Sequence, residues 1–228
     1  MSLPNNTVEL PCGVKFYVPM YPADRIQCDQ VERRRFFEQD ILDDLSRYIP
    51  DAAVILDVGA NTGNHSIYWA RIHNAKRVHS FEPVPLTYGI LCENIRLNGL
   101  GDIVIPHNFG LGDQDGDARI ENFPVDNIGA ARIGYAGNDR APTGLKVARL
   151  DSLDLGEEKI DFVKIDVEGF ERQALAGMEK TLRKHMPAVL VESFRANIDF
   201  TKEFFKALGY GEAIPYEQEN YLFLPDKA

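Results

Sequence analysis

Residues 54–70 read VILDVGANTGNHSIYWA, and the punctuation of this stretch decides the fold. Apolar Val54-Ile55-Leu56 runs into Asp57, glycines follow at 59 and 63, and a helical pattern starts near Asn64. A strand, a glycine turn and a helix opening form a cradle. Glycine lets backbone come close to a ligand, and the helix start offers unpaired N–H groups to a negative group. The next apolar segment, Arg77–Phe81, stops at Glu82. An acidic residue about 20 positions past such a turn is the usual partner of a ribose diol. The spacing therefore predicts a site for an adenosine-type cofactor.

Outward from the cradle, strands and helices alternate. Strands are expected at 54–58, 77–82, 103–107, 161–166, 188–193 and 220–224, and helices at 64–72, 85–97, 170–184 and 200–208. Alternation of this kind predicts a mostly parallel sheet with helices on both faces. Strand cores such as AVLV (188–191) are solidly apolar, as a sheet buried on both faces requires. Upstream, Thr7–Leu10 and Val14–Val18 read as a hairpin. Residues 30–48 read as one helix with a stripe of Val31, Phe36, Phe37, Ile41, Leu42 and Leu45. We divide the chain into an N-terminal hairpin-helix extension (1–50) and a main α/β domain (51–228). Residues 109–150 interrupt the alternation with Gly, Asp, Asn and Arg and short strand-like pieces at 118–121, 130–134 and 145–149. An insertion this long is usually functional or disordered, and it is expected to form a hairpin that shapes the acceptor pocket.

The 228 residues are 44% hydrophobic and 26% charged, with a net charge of −10. That acidity argues against nucleic acid or an anionic membrane as the partner, because both reward basic stripes. No apolar run approaches a bilayer-spanning length, and the first ten residues lack a secretory pattern. Three scattered cysteines make no disulfide framework. A cytoplasmic protein is the default expectation.

Polar residues gather where strands end: Asp57, Glu82, Asn108, Asp166 and Glu192. In open α/β sheets the ligand crevice lies at those carboxyl ends. In DFVKIDVEG (161–169) the alternation puts Lys164, Asp166 and Glu168 on one side. A buried lysine needs a carboxylate partner, so Lys164 is expected to pair with Asp166 or Glu82. Asp166 or Glu168 then becomes the candidate proton acceptor, with Glu192 and His107 behind them. Tyr68 and Trp69 read as core, Arg33–Arg35 as a solvated face, and His65 as a surface residue of the first helical turn. No HxxxH or HExxH spacing supports zinc. Asp166 and Glu192 could begin a divalent-cation site, but no third ligand is evident, so metal is not favoured.

A nicotinamide dinucleotide site asks for G-x-G-x-x-G, and here those positions hold Gly59, Asn61 and Asn64. The turn instead reads D-x-G-x-N-x-G, which suits S-adenosylmethionine. That ligand needs N–H groups for a carboxylate, acceptors for an ammonium and a carboxylate for its ribose. The cofactor candidates are Asp57, Gly59, Asn61, Gly63, Glu82, Asn108 and Asp166. A valine at Gly59 is expected to fill the space of the methionine end while leaving the fold intact. A dinucleotide-dependent oxidoreductase and an inactive binding module are the rival readings.

The blocks DVGANTGNHS, FEPVP, ENIRLNGL, NIGAARI, LDSL and DFVKIDVEGFERQALAG, in this order over about 50–195, resemble the FkbM family of S-adenosylmethionine-dependent methyltransferases. The resemblance implies a Rossmann-like class I methyltransferase fold with a seven-stranded sheet whose last strand is antiparallel. It also implies methyl transfer, often to hydroxyls of sugars or secondary metabolites, so a small-molecule or glycan acceptor is expected. The chain departs from the pattern at Asn127–Ala131 and at the charged tip Gly137–Arg140. Both lie where an acceptor would dock, which makes Asn127, Arg132 or Arg140, and Glu192 the acceptor-side candidates.

Overall fold

Seven strands form the central sheet of the computed structural model, which describes residues 6–124, 128–136, 144–157, 159–194 and 197–226. In chain order the main strands are β3 (Val54–Val58), β4 (Arg77–Phe81), β5 (Val104–His107), β10 (Phe162–Ile165), β11 (Ala188–Glu192), β12 (Ile214–Pro215) and β13 (Asn220–Phe223). Across the sheet they run β12-β13-β11-β10-β3-β4-β5. Strands β3, β4, β5, β10 and β11 are mutually parallel, and β13 is antiparallel to β11. This is the Rossmann-like arrangement expected from the sequence. From β3 the chain first builds toward β4 and β5, then returns to the other side of β3 with β10. The strand order thus reverses between β3 and β10, the place where doubly wound sheets hold ligands.

Alternating side chains serve two cores. Ile55, Phe162 and Leu190 face one, shared with Trp69 of α3 (Asn64–Arg71) and with Leu91 and Ile95 of α4 (Pro85–Asn98). Leu56, Val163 and Val191 face the other, under α5 (Glu171–Gly177), α6 (Glu179–His185) and α7 (Ile198–Leu208). Tyr68 and Trp69 are buried as expected. Among the described residues no helix is long and apolar enough to cross a membrane.

The N-terminal hairpin, β1 (Thr7–Glu9) with β2 (Lys15–Tyr17), is present. Its Lys15 and Tyr17 N–H groups donate to Asn98 Oδ1 (2.9 Å) and Asn94 Oδ1 (2.7 Å) on α4. The single helix expected over 30–48 is not. Helix α1 (Arg25–Cys28) runs into a five-residue π turn at Asp29–Arg33, and α2 (Gln39–Leu45) starts afresh, followed by a 3-10 turn at Ser46–Tyr48. Arg34 (φ 55°) and Glu38 (φ 56°) are left-handed. The reason lies 27 residues away. Asn64 Oδ1 accepts from Phe37 N–H (3.0 Å) and Asn64 Nδ2 donates to Phe37 O (3.0 Å). A tertiary amide pair has replaced the helical bonds of Phe37. The helix expected over 170–184 also splits, at Met178 (φ −122°). There Asp151 accepts from the N–H groups of Lys180 and Thr181 at 3.0 and 2.9 Å and caps α6.

The insertion forms more than a hairpin. Strands β6 (Gly110–Leu111), β7 (Gly116–Asn122), β8 (Arg132–Tyr135) and β9 (Leu145–Ala148) make a second sheet in the order β6-β9-β7-β8. The β7–β8 pair is the expected hairpin.

Asn64 is buried and holds both polar groups of Phe37. Replacing it by alanine strands those groups, so Asn64→Ala should cost about 2–3 kcal/mol. Urea unfolding should show a lower midpoint with an unchanged slope. A loss below about 0.5 kcal/mol would mean that the pair does not hold the extension in place.

Candidate active site

The ends of β3, β4, β10 and β11 converge on a buried lysine. Lys164 Nζ lies 3.0 Å from Asp166 Oδ2, 3.8 Å from Asp57 Oδ1 and 3.3 Å from Gly59 O. Burial alone would push its ammonium toward neutrality, but Asp166 and Asp57 outweigh burial and hold its pKa above the ordinary value. Of the two expected partners, Asp166 makes the ion pair. Asp57 lies fully buried beneath the turn. Its Oδ2 accepts from Ser66 Oγ, which also meets Ser80 Oγ at 2.7 Å. Asp57 therefore ties the cradle helix to the sheet from below and lines neither of the two clefts at the strand ends.

Gly59 (φ 81°) and Gly63 (φ 89°) take up the left-handed backbone of the cradle. A Cβ at Gly59 would stand 1.8 Å from Asp166 O. This corrects the expectation that a valine there would only block the ligand. The missing side chain makes room for the backbone of the neighbouring strand end, so the fold itself requires glycine. Asn61 (φ 51°) donates its N–H to Glu82 Oε2 (2.9 Å), and its buried Oδ1 has no hydrogen-bond partner among the described residues. Glu82 Oε1 accepts from Val84 N–H and Thr87 Oγ, both at 2.8 Å. Burial raises the Glu82 pKa, and the donors from Thr87, Val84 and Asn61 pull it back. Asn108 sits just past the end of β5, as expected, and lines neither cleft. Its Nδ2 donates to the carbonyls of Glu82 (2.9 Å) and Pro83 (3.3 Å), so it braces the loop after β4.

Two clefts open above these strand ends. The first, ≈ 580 Å³ with its mouth included, has apolar walls from Phe81, Val84, Ile128, Ile133 and Phe170, with Glu82 among its lining. The second, ≈ 490 Å³, is polar and carries Arg25, Phe37, Glu38, Glu192 and Gln218. Asn61, Gly129, Asp166 and Glu168 line both, so anything bound in one cleft meets anything bound in the other at these four residues.

At that junction the carboxylates of Asp166, Glu168 and Glu192 crowd together, with oxygens within 4.8 Å of one another. Burial would raise Asp166, but Lys164 overrides it and keeps the group ionised. Burial, followed by the neighbouring Asp166 charge, raises Glu192 strongly, and the two share a hydrogen bond. Glu168 is also raised, to about 7, first by burial and then by Asp166. Its backbone is left-handed (φ 52°), and Glu171 Oε1 clamps the loop by accepting from Gly169 N–H at 2.6 Å. Among the described residues this trio is the group whose atoms could close on a metal ion. Glu168 supplies the third candidate ligand atom that sequence reasoning did not find.

Other candidates lie elsewhere. Arg132 sits on β8 with its guanidinium 5.5 Å from the Phe194 ring and its charge felt by Glu168. Asn127 and Arg140 fall outside the described residues. His107 stacks on Phe81 (4.6 Å) and contacts His79 (3.1 Å). Burial and that neighbour push its pKa down to about 4, and it lines neither cleft. His65 is buried rather than surface, with Nε2 3.2 Å from Glu38 Oε2. Sequence reasoning missed Arg25, Phe37, Glu38, Thr87 and Gln218. Thr87, five residues past Glu82 in a helix start, carried the one local signal.

The Gly59 contact gives a test. Gly59→Ala should leave little folded protein, because Asp166 O cannot move without breaking the β3–β10 ends. Thermal unfolding and soluble yield measure this. A Gly59→Ala variant with unchanged melting would show that the two strand ends are not in contact.

The Methyltransferase FkbM domain model matches residues 57–211. The hexuronic acid methyltransferase AglP of Haloferax volcanii is 33% identical over 164 residues, 71% of this chain and 64% of that protein. The 2-O-methyltransferase NoeI of Sinorhizobium fredii is 27% identical over 149 residues, 58% of this chain and 59% of the relative. The chain thus spans less than two thirds of the length of either. Among solved structures, the methyltransferase FkbM from Methylobacillus flagellatus superposes with a TM-score of 0.56 at 19% identity, covering 76% of this chain and 43% of that one. A putative rRNA methylase from Clostridium thermocellum gives 0.54 at 11% identity, covering 82% and 92%. These two likenesses bear on the fold alone. With a family model that covers the cradle, the DVEG loop and every parallel strand past residue 56, the chain belongs to the FkbM methyltransferase domain family.

Proposed function

We propose that this chain is an S-adenosylmethionine-dependent methyltransferase that O-methylates a hydroxyl of a sugar or sugar-like metabolite, with Glu168 as the base. The junction of the two clefts carries this reading: an apolar cleft suited to a nucleoside and a polar one suited to a hydroxylated acceptor meet at Asn61, Gly129, Asp166 and Glu168. The names of AglP and NoeI, a hexuronic acid and a 2-O-methyltransferase, support a sugar acceptor.

The residues suit the donor. Glu82 is oriented by three donors and keeps lone pairs for the ribose hydroxyls. The unpartnered Asn61 Oδ1 awaits a donor from the ligand, and ionised Asp166 is placed to accept from the ammonium. The chemistry supplied by S-adenosylmethionine when bound is a methyl group on a sulfonium. Holding two reactants in one geometry is a large part of such catalysis. A sugar hydroxyl attacks well only as its proton leaves, and a base works best with a pKa near the working pH. Glu168, at about 7, meets that condition. Asp166 is engaged by Lys164, and Glu192 retains a proton. The Asp166 charge also keeps Glu168 basic enough to take the proton.

Calorimetry should show S-adenosylhomocysteine binding and no NAD binding. Glu82→Gln should weaken that binding by about 1.5–3 kcal/mol, the range of a hydrogen bond to a charged group. Unchanged affinity would remove Glu82 from the donor site.

Turnover should rise with pH through an apparent pKa near 7, because Glu168 must lose its proton to act. Glu168→Gln should cost about 10²–10⁴ in kcat and abolish that limb, with S-adenosylhomocysteine affinity little changed. Near-normal turnover in this variant would exclude Glu168 as the base. Loss of wild-type turnover on adding EDTA would replace the base with a cation held by Asp166, Glu168 and Glu192.

A further inference from the structure

Arg25 is the arginine of the polar cleft, and it stands apart from Arg33 and Arg35, with which it lines a further cleft along the extension. Arg33 pairs with Asp29 (3.2 Å) and Arg35 with Asp40 (2.7 Å). Arg25 makes no ion pair among the described residues. Its guanidinium rests 5.3 Å from the centre of the Phe37 ring, and one nitrogen donates to Gln218 Oε1 at a long 3.5 Å. Both neighbours are neutral. A guanidinium laid on an aromatic ring is held in place while its N–H edge stays free for a planar, bidentate partner.

The platform beneath it is well fixed. Buried Asp24 caps α1 by accepting from Gln27 N–H (3.0 Å), and Gln27 Oε1 accepts from Met20 N–H (2.7 Å). Phe37 is fixed through its backbone by Asn64. The cleft that Arg25 lines also holds Asp166, Glu168, Glu192 and Glu38. The cleft therefore combines acidic side chains with one cation that makes no ion pair among the described residues, in a chain of net charge −10. An anionic group would be repelled from the Asp166 end and drawn to Arg25, which would turn the opposite side of the molecule toward Glu168.

We propose that Arg25 anchors a carboxylate of the acceptor, so that the enzyme selects acidic sugars over neutral ones. The inference rests on the methyl-transfer reading above. The choice of carboxylate follows from charge. One guanidinium neutralises one carboxylate and matches its two oxygens, whereas a phosphate dianion would leave a surplus negative charge in a cleft that already holds ionised Asp166. Arg25 is thus a specificity residue, supplied by the segment before the family domain.

The test uses p-nitrophenyl β-glucuronide and p-nitrophenyl β-glucoside, which differ in one carboxylate. Their binding is titrated by calorimetry with and without S-adenosylhomocysteine. Wild-type protein should bind the glucuronide at least roughly tenfold more tightly, a margin that shrinks with added salt. Arg25→Ala should lose the preference, Arg25→Lys should keep part of it, and Arg33→Ala should keep all of it. S-adenosylhomocysteine affinity should be the same in every variant, which shows that each is folded. Equal binding of the two glycosides, binding of neither, or a preference that survives Arg25→Ala overturns the proposal. Failure of S-adenosylhomocysteine to bind the wild type overturns the methyl-transfer reading instead, and the glycoside comparison without it still reports on Arg25.

Discussion

One buried ammonium organises this molecule. Lys164 Nζ reaches carboxylates from β3 and from the end of β10, and the carbonyl of Gly59 in the turn between β3 and α3. Those are the two strands between which the sheet order reverses. A parallel sheet splays its strand ends apart at such a point, and the gap becomes a crevice. Here the crevice floor is pinned by charge. Removing one partner of a buried pair is costly because the other charge stays behind. The cradle, the DVEG loop and the carboxylate cluster all take their positions from this contact.

The same charge sets the proton inventory. Three carboxylates within 4.8 Å cannot all ionise beside a single lysine. Lys164 settles the matter in favour of Asp166, while burial, with the Asp166 charge adding to it, raises Glu192 strongly and lifts Glu168 into the neutral range. Like charges at close range separate the pKa values of chemically equal groups. Asp166 is thereby held ionised, Glu192 held protonated, and Glu168 left to titrate near neutrality.

The N-terminal extension is packed into the same core as the sheet. Phe16, Phe36, Leu42 and Leu45 share a core with Trp69 and Phe162 of the main sheet. Asn94 joins the hairpin to the cradle by accepting from Tyr17 N–H and donating to Thr62 O. Asn64 stands where a dinucleotide fold would place its third glycine, and it uses the side chain that glycine lacks to hold Phe37. The polar cleft has its far wall in Arg25, Phe37 and Glu38 because of these bonds.

Period-two and period-3.6 patterns encode which side of a segment is buried, so the sequence by itself determined the order of the main parallel strands, the cradle, the acidic strand ends and the need of Lys164 for a carboxylate partner, with Asp166 one of two candidates. Asp166 and Lys164 are two residues apart on one strand, and their meeting needed no long-range information. Tertiary structure decided the rest. The 30–48 helix broke because a side chain 27 residues downstream offered Phe37 better-placed partners than its own helix did. Asp57 went under the cradle because Ser66 and Lys164 meet there, and Gly59 proved to be a packing requirement because β10 ends against it. Glu168 joined Asp166 and Glu192 only through a left-handed turn after the strand, and Arg25 reached them only through the packing of the extension. Local patterning specifies burial and direction. It carries no term for the distance between side chains that come together when separate elements dock, and the site is made of those distances.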